Sequence, residues 1–242
     1  MLKSSAKKMQ KKPVNSKPVS VIRVLHVDDD EDFLKCSKRF LEMQDSFQIE
    51  TALSVKEALQ KISEEQYDVI VSDYQMPETD GLEFLKELRN RVNDVPFILF
   101  TGKNREGIVI EALNLGADRY FNKNGKTKTV YGELVHGIIN AVKAKRAEEQ
   151  VKEAEEKYKT IFEQAPDSIV SFDLNGVVTS CNTASSLMSG YSKDEIVGKN
   201  VSDLIYFCED DSQKLMRVID SLLEGKVPEP LEIKYHRKDG RI

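Results

Sequence analysis

The 242-residue chain is poor in cysteine: Cys36, Cys181 and Cys208 stand far apart and in no paired spacing. That excludes a disulfide framework and a cysteine zinc site, and it fits a reducing, cytosolic setting. No apolar run approaches the roughly 20 residues that cross a bilayer. The basic N-terminus lacks an apolar core segment, so no secretory signal is expected. A formal net charge of -5 gives no global sign of nucleic-acid binding. Any stimulus is therefore expected to be cytosolic or to arrive through a partner, and neither membrane nor nucleic acid is expected as a ligand.

Hydrophobic residues make up 40% of the chain, enough for packed cores, and charged residues 32%, which points to long solvated helices. The length suits one large domain or two ordinary ones. Residues 1–20 hold six lysines and no acid, which leaves -11 for residues 21–242. This tail of Lys, Ser and Pro reads as disordered.

From residue 21 strand and helix patterns alternate. Val21–Val27 is a short apolar run that ends in five acids, Asp28 to Asp32. Glu31–Met43 has helical periodicity, and Phe47–Ala52 is a second strand. Ser54 and Glu57 form a capping box that opens a helix to about Glu65. Val69-Ile70-Val71 stops abruptly at Asp73; Asp80–Arg91 is helical. Val95–Phe100 runs into Thr101, and Glu106–Leu115 is a weaker helix with Gly116 at its C′ position. Asp118–Asn122 ends at Lys123, and from about Thr129 a helix begins without an evident stop. Continuous apolar runs of this length suit strands buried on both faces of a parallel sheet. Five such units in about 120 residues predict an α/β fold with helices on both faces and all strand ends on one edge.

Asp73 alone could be a turn residue, a metal ligand or a nucleophile. The other strand ends decide between these. They bring Asp28 and Asp29, Asp73, Thr101 and Lys123 to one edge. Clustered carboxylates repel unless a cation joins them, and charged oxygen ligands suit a hard ion such as Mg²⁺. With that ion present, Asp73 stays ionised and can attack a phosphoryl group. The Lys123 ammonium and the Thr101 hydroxyl would then meet the charge on the phosphoryl oxygens.

The pieces VLHVDDD, DVIVSDYQMPETDGLEFL, PFILFTGK and GADRYFNK, in this order and spacing, make residues 21–140 resemble the receiver domain of two-component response regulators. The resemblance implies a flavodoxin-like (βα)5 fold with Asp73 as phosphoacceptor. It implies Mg²⁺ held by Asp29, Asp73 and the backbone carbonyl of Gln75, with Asp28 acting through water. It further implies Lys123 as charge partner of the phosphoryl group, and Thr101 and Tyr120 as a coupled switch. Two positions depart from the family pattern. Asn124 follows Lys123 where the family has a cis proline, and Asn disfavours cis, so a differently shaped loop is expected. Gly102 follows Thr101 where Ala is commoner. A haloacid-dehalogenase-type phosphatase is the distant alternative for these residues. Asp28-x-Asp30 fits its aspartate nucleophile, but Asp32 stands where that family has Thr or Val, and no cap domain is evident.

Beyond Val142 the sequence is almost wholly charged. Glu148–Lys152, Glu153–Lys157 and Glu155–Lys159 are helix-stabilising pairs, and Val151, Ala154, Tyr158 and Ile161 keep an a/d spacing. A single helix is expected over residues 134–163, as a solvated connector or as a homodimeric coiled coil. The hairpin FEQAPDSIVSFDLNGVV, CNTA with Asn182, and GYSKDEIVGKNVSDLI resemble the start of a PAS domain. A further strand is expected at Leu231–Tyr235. Two more strands would normally follow, so the PAS domain is expected to be truncated. Cys208 lacks the context of a flavin-adduct cysteine, and His236 lies in a polar turn rather than a haem pocket, which leaves any PAS ligand unassigned and favours protein–protein signalling.

The expected organisation is a basic tail (1–20), a receiver (21–142), a helical linker (143–160) and a PAS domain (161–242). The expected function is a cytoplasmic two-component signalling protein, phosphorylated on Asp73 by a histidine kinase, a phosphotransfer protein or a small phosphodonor. The chain would catalyse that transfer and its hydrolysis itself, without being a kinase. The alternative is the N-terminal part of a hybrid sensor kinase whose catalytic domains lie beyond Ile242, since neither a phospho-accepting His box nor glycine-rich ATP loops occur here. A DNA-binding regulator is disfavoured because no helix-turn-helix follows the receiver.

Overall fold

The computed structural model describes residues 21–43, 46–102, 106–201, 209–227, 229–230, 232, 234 and 236–241. The Lys-rich tail, Lys103 and Cys208 lie outside these, as does most of the strand expected at Leu231–Tyr235. The chain divides into two units, Met1–Glu148 and Glu149–Ile242.

In the first unit the elements alternate strictly. They are β1 (Ile22–Val27), α1 (Glu31–Glu42), β2 (Phe47–Ala52), α2 (Val55–Glu64), β3 (Val69–Ser72), α3 (Gly81–Asn90), β4 (Phe97–Thr101), α4 (Glu106–Asn114) and β5 (Arg119–Asn122). Helix α5 (Thr127–Gln164) follows and runs into the second unit. The strands form one parallel sheet in the order β2-β1-β3-β4-β5, a flavodoxin-like arrangement.

The period of two along each strand splits the apolar side chains between two cores. Leu25, Val27, Ile70, Phe97 and Leu99 pack with residues of α2, α3 and α4 on one face. Val24, Val69, Val71, Ile98 and Phe100 pack with Leu41 of α1 and with Tyr131, Leu134 and Ile138 of α5 on the other. Both faces are covered, so the strands read as unbroken apolar runs rather than as alternation.

Local chemistry sets the helix starts. Asp30 caps α1 by accepting from Phe33 N at 2.9 Å. The Ser54–Glu57 box forms with a shift. Ser54 Oγ accepts from Glu57 N (3.2 Å), but the Glu57 carboxylate takes Leu53 N (2.8 Å) instead of the cap's own N–H. Asp80 and Glu83 make a full reciprocal box at the start of α3. Gly116 ends α4 at φ 90°, the left-handed C′ conformation its sequence position implied.

In the second unit β6 (Val170–Phe172) and β7 (Val178–Cys181) pair antiparallel, followed by α6 (Thr183–Ser189), α7 (Lys193–Ile196) and α8 (Glu209–Leu223). Asn182 is buried and organises this start. Its Oδ1 accepts from Ile169 N, Ser185 N and Ser185 Oγ at 2.8–3.0 Å, and its Nδ2 donates to Asp167 O at 2.9 Å. Glu163, near the end of α5, accepts from Lys193 Nζ (2.6 Å) and from Thr183 Oγ1 (2.8 Å). Among the described residues no helix is long and apolar enough to cross a membrane.

One buried group carries a pH signature. His26 in β1 is fully buried beside the Phe33 and Phe100 rings. Its Nδ1 meets Ser37 Oγ at 3.1 Å, and Nε2 finds no hydrogen-bond partner among the described residues. Burial first, and the Lys123 charge second, push its pKa from 6.5 down to about 3. Between these values the unfolded chain binds the proton and the folded one does not. Stability is therefore complete above pH 6.5 and falls as pH drops toward 3. Denaturant unfolding at pH 7 and pH 5 is expected to show about 2 kcal/mol more acid loss in the native sequence than in His26→Val. Equal losses in the two proteins would contradict this.

Candidate functional site

The carboxyl ends of β1, β3, β4 and β5 meet where the strand order reverses, between β1 and β3. The ladder carries past the formal strand ends. Asp28 N donates to Ala52 O (3.1 Å), Asp73 N to Val27 O (2.8 Å) and Lys123 N to Thr101 O (2.9 Å). The Asp28, Asp73 and Lys123 side chains therefore leave a backbone that is itself part of the sheet.

Asp28, Asp29 and Asp73 each present a carboxylate oxygen, and these lie within 4.8 Å of one another. Asp28 and Asp73 are buried and Asp29 is exposed. Lys123 Nζ reaches into the group, 2.5 Å from Asp28 Oδ2 and 2.9 Å from Asp73 Oδ1. The same ammonium stands 4.4 Å from the centre of the Phe33 ring, a cation–π contact that fixes its approach. The second oxygen of Asp73 accepts from Gln75 N at 2.9 Å. An open cleft of about 590 Å³, lined by Asp29, Asp73, Gln75, Thr101 and Lys123 among others, gives access from solvent.

The electrostatics are unbalanced. Three carboxylates face one ammonium. Burial holds the Asp28 carboxyl above its usual range, outweighing the Lys123 charge that pulls it down. Oxygen donors with a surplus of negative charge fit a hard divalent cation, and Asp28, Asp29 and Asp73 are the residues that would hold it.

Each remaining expected site residue has a defined place. Thr101 ends β4 and is buried. Tyr120 in β5 is half-buried against the apolar cluster of α3 and α4, and burial raises its pKa. Gln75 lies in the β3–α3 loop, two residues past Asp73, and lines the cleft. That loop turns through Glu78 at φ 66°, a left-handed conformation that costs a non-glycine residue about 1 kcal/mol or more. It then closes tightly at Gly81: a Cβ there would lie 2.3 Å from Asp73 O. Only glycine lets α3 begin against the Asp73 backbone.

Several contacts were not expected from the sequence. They are the Phe33 ring under Lys123, the division of Lys123 between two carboxylates, and a bond from Asn124 to Gly102. The departure at Asn124 was visible; its partner is set by tertiary structure. Among the described residues no cis peptide bond occurs. In the second unit His236 is exposed, and His136 of the first unit is exposed on α5. No group of three metal-ligating side chains occurs among the described residues besides the three aspartates.

Comparison with known proteins agrees with both units. Residues 24–134 match the response regulator receiver domain family and residues 156–242 match the PAS fold. Response regulator SaeR of Staphylococcus aureus is 37% identical over 100 residues, which cover 41% of this chain and 43% of SaeR. The chain thus matches less than half the length of that curated relative. Among solved structures, the receiver domain of a Francisella response regulator is 31% identical with a TM-score of 0.47, covering 51% of this chain and 98% of that one. The response regulator domain of Thermotoga maritima CheB is 32% identical with a TM-score of 0.47, covering 51% of this chain and 97% of that one.

Because Lys123 competes for the carboxylates a divalent ion would use, Lys123→Met is expected to bind Mg²⁺ about 3- to 10-fold more tightly by calorimetric titration at low salt. Weaker Mg²⁺ binding in that variant would show that the ammonium orders the carboxylates more than it competes.

Proposed function

We propose that this chain, which carries a response regulator receiver domain ahead of a PAS fold, is a two-component signalling switch that accepts a phosphoryl group on Asp73. The observation that carries this reading is the shared Lys123 ammonium. It lies 2.9 Å from the Asp73 carboxylate at the mouth of an open cleft, where a phosphoryl group joined to Asp73 would meet it.

In the proposed reaction an Asp73 carboxylate oxygen attacks the phosphorus of a phosphohistidine, or of a small acyl phosphate. The new O–P bond forms as the P–N or P–O bond of the donor breaks, and the leaving group keeps the electron pair. Lys123 is already paired with Asp73 and follows the charge onto the phosphoryl oxygens. The Thr101 hydroxyl closes on the same oxygens, and Tyr120 repacks into the space beside it. Asp28, Asp29, Asp73 and the Gln75 carbonyl would hold Mg²⁺, which neutralises negative charge on the transferring group. The local charge change then biases a two-state equilibrium. Water later cleaves the acyl phosphate and resets the switch.

The partner that supplies the phosphoryl group is, on this reading, a histidine kinase or a phosphotransfer protein. The readout passes into α5. On the part of that helix beyond the first unit, Val151, Tyr158 and Ile161 are exposed at helical spacing, at 58%, 65% and 61%. We assign this stripe to a parallel coiled coil with a second copy. Sedimentation at micromolar concentration is expected to show a dimer that Val151→Glu with Ile161→Glu dissociates. A monomer in both proteins would remove the assignment.

The direct test of the site uses beryllium fluoride, which mimics a phosphoryl group on a carboxylate. The full chain is expected to give a ¹⁹F signal of bound fluoride that requires Mg²⁺ and disappears in Asp73→Asn. A Mg²⁺-dependent signal that survives in Asp73→Asn would overturn the assignment.

A further inference from the structure

The two positions that depart from the receiver pattern, Gly102 and Asn124, are bonded to each other. Asn124 Nδ2 donates to Gly102 O at 2.6 Å. The tie belongs to a larger clasp. Asn122 pairs in register with Thr101 across β4 and β5. Lys123 N donates to Thr101 O at 2.9 Å. The Asn122 carboxamide oxygen accepts from Asn124 N at 2.7 Å. Each residue of Asn122-Lys123-Asn124 is thus bonded within the clasp, and the clasp embraces Thr101-Gly102. The two residues it holds between them are Thr101, which lines the same cleft as Asp73, and Lys123, whose ammonium lies 2.9 Å from the Asp73 carboxylate.

A proline at position 124 could supply neither of its own two bonds, because it lacks both the N–H that Asn122 accepts from and the carboxamide that reaches Gly102. We propose that Asn124 is a positioning residue for the reaction at Asp73. Its carboxamide couples the loop after β4 to the loop after β5, so that Thr101 and Lys123 move as one unit around the phosphoryl group. The inference rests on the reading of Asp73 as phosphoacceptor. Asn124 touches none of the three aspartates in the described contacts, so its role separates from metal binding. Gly102 contributes its carbonyl only. A Cβ at Gly102 would sit 3.8 Å from Asn124 Oδ1, an ordinary van der Waals distance, so the carboxamide rather than the glycine is the specific element.

The test compares the 242-residue chain with Asn124→Ala and Asn124→Asp. Mg²⁺ affinity, beryllium fluoride affinity at saturating Mg²⁺, and thermal midpoint are measured for each. Asn124→Asp keeps the shape of the side chain and removes the N–H donor. Both Asn124 variants are expected to lose about 3- to 10-fold in fluoride affinity, the scale of one hydrogen bond, with Mg²⁺ affinity within about twofold of the parent. Unchanged fluoride affinity in both Asn124 variants would overturn the proposal. So would a parallel fall of Mg²⁺ affinity, fluoride affinity and thermal midpoint, which marks a merely structural tie. Absence of Mg²⁺-dependent fluoride binding in the parent chain would instead overturn the Asp73 reading, and this inference with it.

Discussion

Three carboxylates converge within 4.8 Å of one another, two of them paired with a single ammonium, and the rest of the first unit is arranged to make that tolerable. Like charges at this spacing repel, and burial raises the cost of keeping Asp28 ionised. Lys123 relieves part of the repulsion by bonding Asp28 and Asp73 together. The remaining surplus of negative charge is the property that makes the site receptive to a divalent cation. The ammonium that holds the resting site together is also the group placed to meet an incoming phosphoryl group. One side chain therefore links the stability of the resting state to the chemistry proposed for it.

The sheet supplies the precision. Parallel strands buried on both faces hold their ends rigidly, and the reversal of strand order between β1 and β3 opens a crevice where those ends meet. Gly81 allows α3 to begin within contact of the Asp73 backbone. On the opposite side of the site, Phe33 from α1 lies beneath Lys123, and Phe100 from β4 is 6.0 Å from the Phe33 ring. His26 joins these rings with a ring nitrogen that finds no hydrogen-bond partner among the described residues. The apolar layer under α1 and α5 is thus continuous with the seat of the ammonium.

Much of this was legible in the sequence because its signals are local. Val69–Ser72 ends at Asp73, Phe97–Phe100 ends at Thr101, and a five-residue acid run follows β1, so the edge could be assembled from strand ends alone. Gly116 was readable for the same reason, whereas Asn182 was marked only by the resemblance of CNTA to a PAS domain. What was not legible depends on partners distant in sequence. The bond from Asn124 to Gly102 joins two loops, and the bond from Lys123 to Asp28 joins residues 95 positions apart. The Ser54–Glu57 box shows the limit even locally. The residue types predicted a cap, while the rotamer sent the Glu57 carboxylate to Leu53 N.

Phosphoryl transfer to Asp73 can be read by chemical trapping. The full chain would be incubated with acetyl phosphate, reduced with borohydride, which cleaves an aspartyl phosphate to homoserine, and mapped by mass spectrometry. Conversion is expected at Asp73, and only when Mg²⁺ is present. Conversion at another carboxylate, or equal conversion at Asp73 in excess chelator, would contradict it.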